Sequence, residues 1–114
     1  MKKILLIVVS TLIAMHAFAN GSISNAKVTQ IRIDKSGRGM VIFDRQVSGT
    51  PATCIHPAYA NALAFDSTTP GGKAIMATAL AAKTTGSYLS AYGTGGCAIY
   101  GGAHVEDWDY GVID

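Results

Sequence analysis

Few residues in this chain could carry acid–base or metal chemistry: His56, His104, Glu106, Asp107 and Asp109. Strand alternation would put His104 and Glu106 on one face, but two isolated histidines and a carboxylate fall short of the three or four well-spaced ligands a zinc site uses. No metal and no other cofactor is expected. The acids from Glu106 to Asp109 read as a solvated strand face rather than a catalytic carboxylate set. There is no Gly-x-Ser-x-Gly elbow, and no Ser/His/Asp spacing assigns a nucleophile and its base. Gly71-Gly72-Lys73 and Gly93-Thr94-Gly95-Gly96 lack the spacing of phosphate-binding loops and read as a helix start and a turn. The sequence therefore argues against an enzyme. Its aromatics are more suggestive. Tyr59, Tyr88, Tyr92, Tyr100, Trp108 and Tyr110 are many for so short a chain, and rings with polar tips suit sugar or protein surfaces as well as cores.

These residues sit behind a leader. Lys2 and Lys3, an apolar run from Ile4 to about Ala14, and Ala17-Phe18-Ala19 predict a secretory signal peptide over residues 1–19, cleaved after Ala19. The run is short for a membrane span. Residues 20–114 suffice for one small domain, with no second domain or repeat. In that segment Lys27, Arg32, Lys35, Arg38, Arg45, Lys73 and Lys83 balance Asp34, Asp44, Asp66, Glu106, Asp107, Asp109 and Asp114, so no basic stripe remains to hold nucleic acid. Export favours a disulfide between the chain's two cysteines, Cys54 and Cys97, over free thiols.

The best-punctuated element is a helix from Thr69 to Gly86. Thr69 can cap it, Pro70 fits its first turn, and Gly86 can take the left-handed stop. Gly72, Ile75, Met76, Ala79, Leu80 and Ala82 form a core-facing stripe. The other side carries Ala74, Ala77, Thr78, Ala81, Thr84 and Thr85, small and uncharged where a solvated helix would be charged, which points to an oligomer. Around this helix the chain reads as short strands. An arm at Asn20 to Asn25 precedes a hairpin of Lys27–Asp34 and Met40–Asp44, turned at Lys35–Gly39. Further strands are expected at Ala52–Ile55, Asn61–Asp66, Tyr88–Tyr92, Cys97–Tyr100 and Val105–Ile113, the last with Trp108, Tyr110 and Val112 on one face. The expected class is mainly β with one helix.

Two stretches carry a resemblance. Ile23-Ser24-Asn25-Ala26-Lys27-Val28-Thr29-Gln30-Ile31 resembles the first strand of the B subunits of the subtilase cytotoxin and pertussis-like toxin family, and Ala79-Leu80-Ala81-Ala82-Lys83-Thr84-Thr85-Gly86 resembles the end of their helix. Cys54 and Phe65 stand roughly where those subunits have a cysteine and a phenylalanine. The chain also resembles small secreted proteobacterial proteins with Phe-Asp, Gly-Lys-Ala and Leu-Ala-Ala-Lys segments. This resemblance implies a small barrel of the oligonucleotide/oligosaccharide-binding (OB) type, in a homopentamer whose helices line a pore through Ala74, Ala77, Thr78 and Ala81. It implies binding of sialylated host cell-surface glycans, a toxin A subunit as partner, and a secreted or periplasmic location in a Gram-negative bacterium. Ser24 matches the family's sugar-binding serine, and Tyr92 lies one place from the position of its sugar-binding tyrosine. Ile23 stands where the family has an aromatic ring, and the family has more cysteines. Beside this glycan-binding reading stands a protein-binding module, such as a hydrolase inhibitor, which a disulfide-tied β domain with a glycine-rich loop would also suit.

Overall fold

Alternating apolar residues resolve into seven strands and one long helix in a computed structural model, which describes residues 20–102 and 104–114; the leader read over residues 1–19 lies outside them. The strands are β1 (Gly21–Ala26), β2 (Val28–Ile33), β3 (Arg38–Phe43), β4 (Ser48–Gly49), β5 (Ala62–Asp66), β6 (Leu89–Gly93) and β7 (Trp108–Ile113), with α1 (Pro70–Thr85) between β5 and β6. They form two antiparallel sheets, ordered β4-β1-β6-β7 and β2-β3-β5. Only Lys27 separates β1 from β2, so one run of chain serves both sheets. The sheets also approach at the parallel bridge Ala64↔Asp107, where the Ala64 N–H donates to the Glu106 carbonyl at 2.8 Å. No continuous strand ladder closes a barrel there among the described residues.

The helix follows its local signals. The Thr69 hydroxyl accepts from the Gly72 N–H at 2.9 Å, Pro70 takes the first turn, and Gly86 stops the helix in the left-handed region at φ 69°. A side chain at Gly72 would put its Cβ 1.6 Å from the Asp66 carbonyl oxygen, so glycine is what lets the first turn rest on the end of β5. Gly72, Ala79 and Ala82 are buried, with Ile75 and Met76 packed at the margin of the core. Leu80, expected in this stripe, is 56% exposed. At ~100° per residue it lies about 100° from the stripe's centre, and so joins exposed Ala77 and Ala81 instead. Lys27 reaches the Gly86 carbonyl at the negative end of the helix and lies 4.1 Å from the Tyr88 ring centroid.

The main core joins Ile23, Val28, Val41, Phe43, Leu63, Phe65, Leu89 and Trp108 beneath the helix, with Phe43 and Trp108 stacked at 6.3 Å. A smaller cluster, Met40, Ala62, Ala64 and Val105, lies on the far face of β3 and β5, covered by Tyr59, Ile99 and Tyr100. The β2–β3 hairpin turns where expected, on Gly37 at φ 92°.

Several strand expectations are corrected. The arm at Asn20 to Asn25 is largely β1, because distant partners recruit it: Ser22 pairs with Ser48 and Tyr92, and Ile23 with Ala91. Ala52–Ile55 and Cys97–Tyr100 are turns rather than strands. The disulfide between Cys54 and Cys97 joins these turns, with Cα atoms 6.2 Å apart. In β7 the register shifts, with Gly93 opposite Trp108 and Tyr92 opposite Tyr110, leaving Asp109 as the extra residue of a bulge. Trp108 therefore points into the core while Tyr110 and Val112 are exposed, not together on one face as alternation implied.

Candidate functional site

The outward face of the four-stranded sheet concentrates hydroxyls and rings. Cross-strand pairing runs Ser48↔Ser22, Ser22↔Tyr92 and Tyr92↔Tyr110, setting these four residues in one row across β4, β1, β6 and β7. Tyr92 and Tyr110 stack with centroids 4.5 Å apart and planes 18° from parallel, and Tyr110 is 54% exposed. The next pair along, Ser90↔Val112, extends the face. The inward residues of β6, Leu89, Ala91 and Gly93, are buried, so core packing fixes which side of the strand faces out.

Ser24 and Tyr92, the pair expected to bind sugar, lie on neighbouring strands of this sheet. The serine directly opposite Tyr92 is Ser22; Ser24 lies two residues along, exposed beside a bulge in which β1 shifts register between Ile23 and Ala26. Asn25 takes the left-handed region there at φ 50°, its N–H donating to the Ser90 Oγ at 3.1 Å. Arg45 clamps the bulge by donating to the carbonyls of Ser24 and Asn25, at 3.2 and 2.8 Å. On the helix, Ala74, Ala77 and Ala81 are exposed and Thr78 is half-buried.

Glu106 holds the end of the sheet from inside. Its side chain is fully buried and accepts from the backbone N–H groups of Ala52, Gly21 and Gly95, at 2.6, 2.8 and 3.4 Å. A Cβ on Gly93 would fall 1.6 Å from its Oε2, so this close approach needs glycine. Asp107 likewise accepts from Ala98 and Ile99 at 2.8 and 3.1 Å, shaping the turn that carries Cys97. The expected solvated acidic face therefore holds only for Asp109; Glu106 and Asp107 are structural acceptors. His104 is exposed and does not share a face with Glu106, though its carbonyl accepts from the His56 N–H at 2.9 Å. Among the described residues no three His, Cys, Asp or Glu side chains gather to hold a metal ion, and no helix is long and apolar enough to cross a membrane.

A second concentration of chemistry, not foreseen in the sequence, is a cleft of about 220 Å³ between the β2–β3 hairpin and Tyr59, Tyr100, His104 and Val105. Met40 and Val105 form its buried floor, and Arg32, Asp34, Arg38, Tyr59, Tyr100 and His104 line it. Asp34 accepts from the Tyr100 hydroxyl and from Arg32 Nε, both at 2.7 Å, and Arg32 Nη1 reaches the Tyr59 hydroxyl at 3.4 Å. The hydrogen bond from Tyr100, then that from Arg32, hold the Asp34 carboxyl below the usual range. Burial, then the same bond to Asp34, pushes the Tyr100 phenol up to about 12. The Arg38 guanidinium lies 4.9 Å from the Tyr100 ring centroid. β2 and β3 each bring one arginine to this cleft, Arg32 and Arg38, and no local pattern in the chain shows that Tyr100 closes over them.

Comparison with protein-family models, with curated proteins and with solved structures finds no match to this chain.

Proposed function

We propose that this chain is a non-enzymatic glycan-binding module of the toxin B-subunit type, with its sugar site on the outward face of the four-stranded sheet. The observation that carries the reading is the stack of half-buried Tyr92 on exposed Tyr110, set in one row with Ser22 and Ser48. A sugar ring offers C–H groups to an aromatic face and hydroxyls to neighbouring donors and acceptors, and this row supplies both, with Ser24 at its margin. The strand order supports an OB-type barrel: β1 and β2 act as one shared strand, β3 and β5 follow, the helix comes next, and β6 returns beside β1 with β7 approaching β5 at the parallel bridge. Exposed Leu80 among Ala74, Ala77 and Ala81 supports assembly through the helix, and a homopentamer is the assembly this reading expects. Multivalency would then strengthen weak single sites on sialylated host-cell glycans, and a toxin A subunit would be the protein partner.

The test is a glycan array with the oxidised protein, after its native mass has been measured. Wild type is expected to bind sialylated glycans as a five-fold assembly, with Tyr110→Ala and Ser24→Ala weakening that signal while leaving the mass unchanged. A monomer with no glycan signal would overturn the reading. It would favour a protein-binding module such as a hydrolase inhibitor, for which β7 is the relevant feature: a sheet edge with Tyr110, Val112 and Ile113 exposed.

A further inference from the structure

We propose that the cleft formed by Arg32, Arg38, Tyr59 and Tyr100 over Met40 and Val105 is a separate binding site for a small organic carboxylate. Three observations lead there. The first is charge. Asp34 has both carboxylate oxygens engaged, one by Arg32 and one by Tyr100, so the Arg32 charge is compensated. Arg38 donates from Nε to Ser36 Oγ at 3.0 Å, and among the described residues neither of its Nη groups meets an acceptor. Asp34 and Asp66 lie within the field of Arg38 but neither bonds to it, so the cleft holds one guanidinium fork with no direct carboxylate partner among the described residues, the group whose geometry matches a carboxylate.

The second is rigidity. Arg38 stacks on the Tyr100 ring at 4.9 Å, and that ring is anchored through its hydroxyl to Asp34 at 2.7 Å. Asp34 is anchored in turn by Arg32, whose Nη1 reaches Tyr59 at 3.4 Å. Little side-chain freedom remains to be lost when an anion arrives. The third is shape and polarity. Met40 and Val105 give the cleft an apolar floor beneath its charged rim, and its volume of about 220 Å³ lies below the ~300–1,000 Å³ of pockets for drug-sized ligands. A single ring or short branched chain bearing one carboxylate fits this combination. A bare inorganic anion leaves the floor uncovered, and a neutral ring leaves Arg38 unpaired. The site shares no residue with the tyrosine–serine face, its arginines and Met40 coming from the other sheet, and does not depend on the glycan reading.

The experiment is a titration of ¹⁵N-labelled, oxidised protein with benzoate, followed by amide chemical shifts, with benzamide and inorganic phosphate as parallel probes. Benzoate is expected to bind with a dissociation constant of about 1 mM, the range open to a ligand of this size. Its shifts should be confined to Arg32, Arg38, Tyr59, Tyr100 and Val105, and both other probes should bind at least about tenfold more weakly. Arg38→Gln should weaken benzoate about tenfold or more, with Arg38→Lys intermediate. No saturation by about 50 mM benzoate would overturn the proposal. So would equal binding of benzamide or phosphate, shifts centred on Tyr92 and Tyr110, or full affinity in a folded Arg38→Gln protein. If Arg38→Gln does not fold, the wild-type shift map and the three-probe comparison still decide.

Discussion

Replacing Glu106 by glutamine tests how much of the fold hangs on one buried carboxylate. The wild-type side chain accepts from Ala52 and Gly21 at 2.6 and 2.8 Å and from Gly95 at a longer 3.4 Å. A glutamine of the same shape has one acceptor oxygen and must turn its NH2 toward at least one of these N–H groups. Oriented best, it keeps Gly21 and Gly95 and loses Ala52, leaving a buried donor facing a donor. A hydrogen bond to a charged group contributes about 1.5–3 kcal/mol, and an orphaned buried N–H costs about 1–3 kcal/mol. Because these overlap in one deletion, the expected loss is about 2–4 kcal/mol, a large share of the ~5–15 kcal/mol that holds a typical domain. Urea unfolding of the oxidised protein reads the change as a lower midpoint with an unaltered slope. Hydrogen exchange gives the local signature: the amide of Ala52, whose acceptor is gone, should lose more protection than those of Gly21 and Gly95, whose acceptor remains. Asp109→Asn, an exposed acid three residues on, is the control and should stay within about 0.5 kcal/mol. The opposing argument is that burying a carboxylate is itself costly, so that a neutral isostere can be harmless. A Glu106→Gln protein as stable as wild type would show that desolvation cancels the three bonds, and would refute the reasoning.

Two further outcomes follow from the same geometry. Replacing Cys54 and Cys97 together by serine opens a loop of sequence separation 43 and should lower stability by about 4 kcal/mol on the chain-entropy estimate, read by urea unfolding; an unchanged midpoint would mean the bridge is incidental. The Tyr100 phenol, pushed up to about 12 by burial and by its bond to Asp34, has a folded value above its unfolded one near 10, so its contribution is complete below about pH 10 and is lost as pH rises through 12. Asp34 runs the other way: its folded value is depressed, so its contribution is complete above about pH 4 and fades as the solution is acidified through that lower value. Absorbance at the phenolate band should show a late alkaline step that Tyr100→Phe abolishes, and a profile unchanged by that substitution would remove the Tyr100–Asp34 bond from the account.

The readable parts of this sequence are those whose causes are local. Thr69, Pro70 and Gly86 cap the helix through contacts within a few residues, and both ends lie where those residues place them. The β2–β3 hairpin needs only its own alternation and Gly37. Where the cause is distant, the reading fails. Gly21–Ala26 has one large apolar residue, Ile23, and becomes a strand because β4 and β6 pair with it. Alternation carried through Asp109 puts Trp108 and Tyr110 on one side; a one-residue bulge separates them. Glu106 looks solvated by residue type, since the three N–H groups that bury it come from other parts of the chain. On the tyrosine–serine face, Ser24 and Tyr92 follow from the toxin-family resemblance and Tyr110 from its residue type, while the row that joins Ser48, Ser22, Tyr92 and Tyr110 needs the register. Tyr100 enters the arginine cleft through the turn that Asp107 and the disulfide shape, which no pattern along the chain encodes.

The pairing of β1 also sets an order of events. Its first residue, Gly21, is held by Glu106 across 85 positions, and its longer partner, β6, begins only at Leu89. A chain that emerges N-terminus first presents the strand early and β6 late, so β1 waits as an unpaired segment until most of the chain is present. Contacts of this span close slowly, because the loop between them must be ordered before they repay it. The β2–β3 hairpin and the helix can form as they emerge, but the four-stranded sheet that carries the tyrosines cannot. The surface proposed for sugar binding is thus the last part of the molecule to be completed.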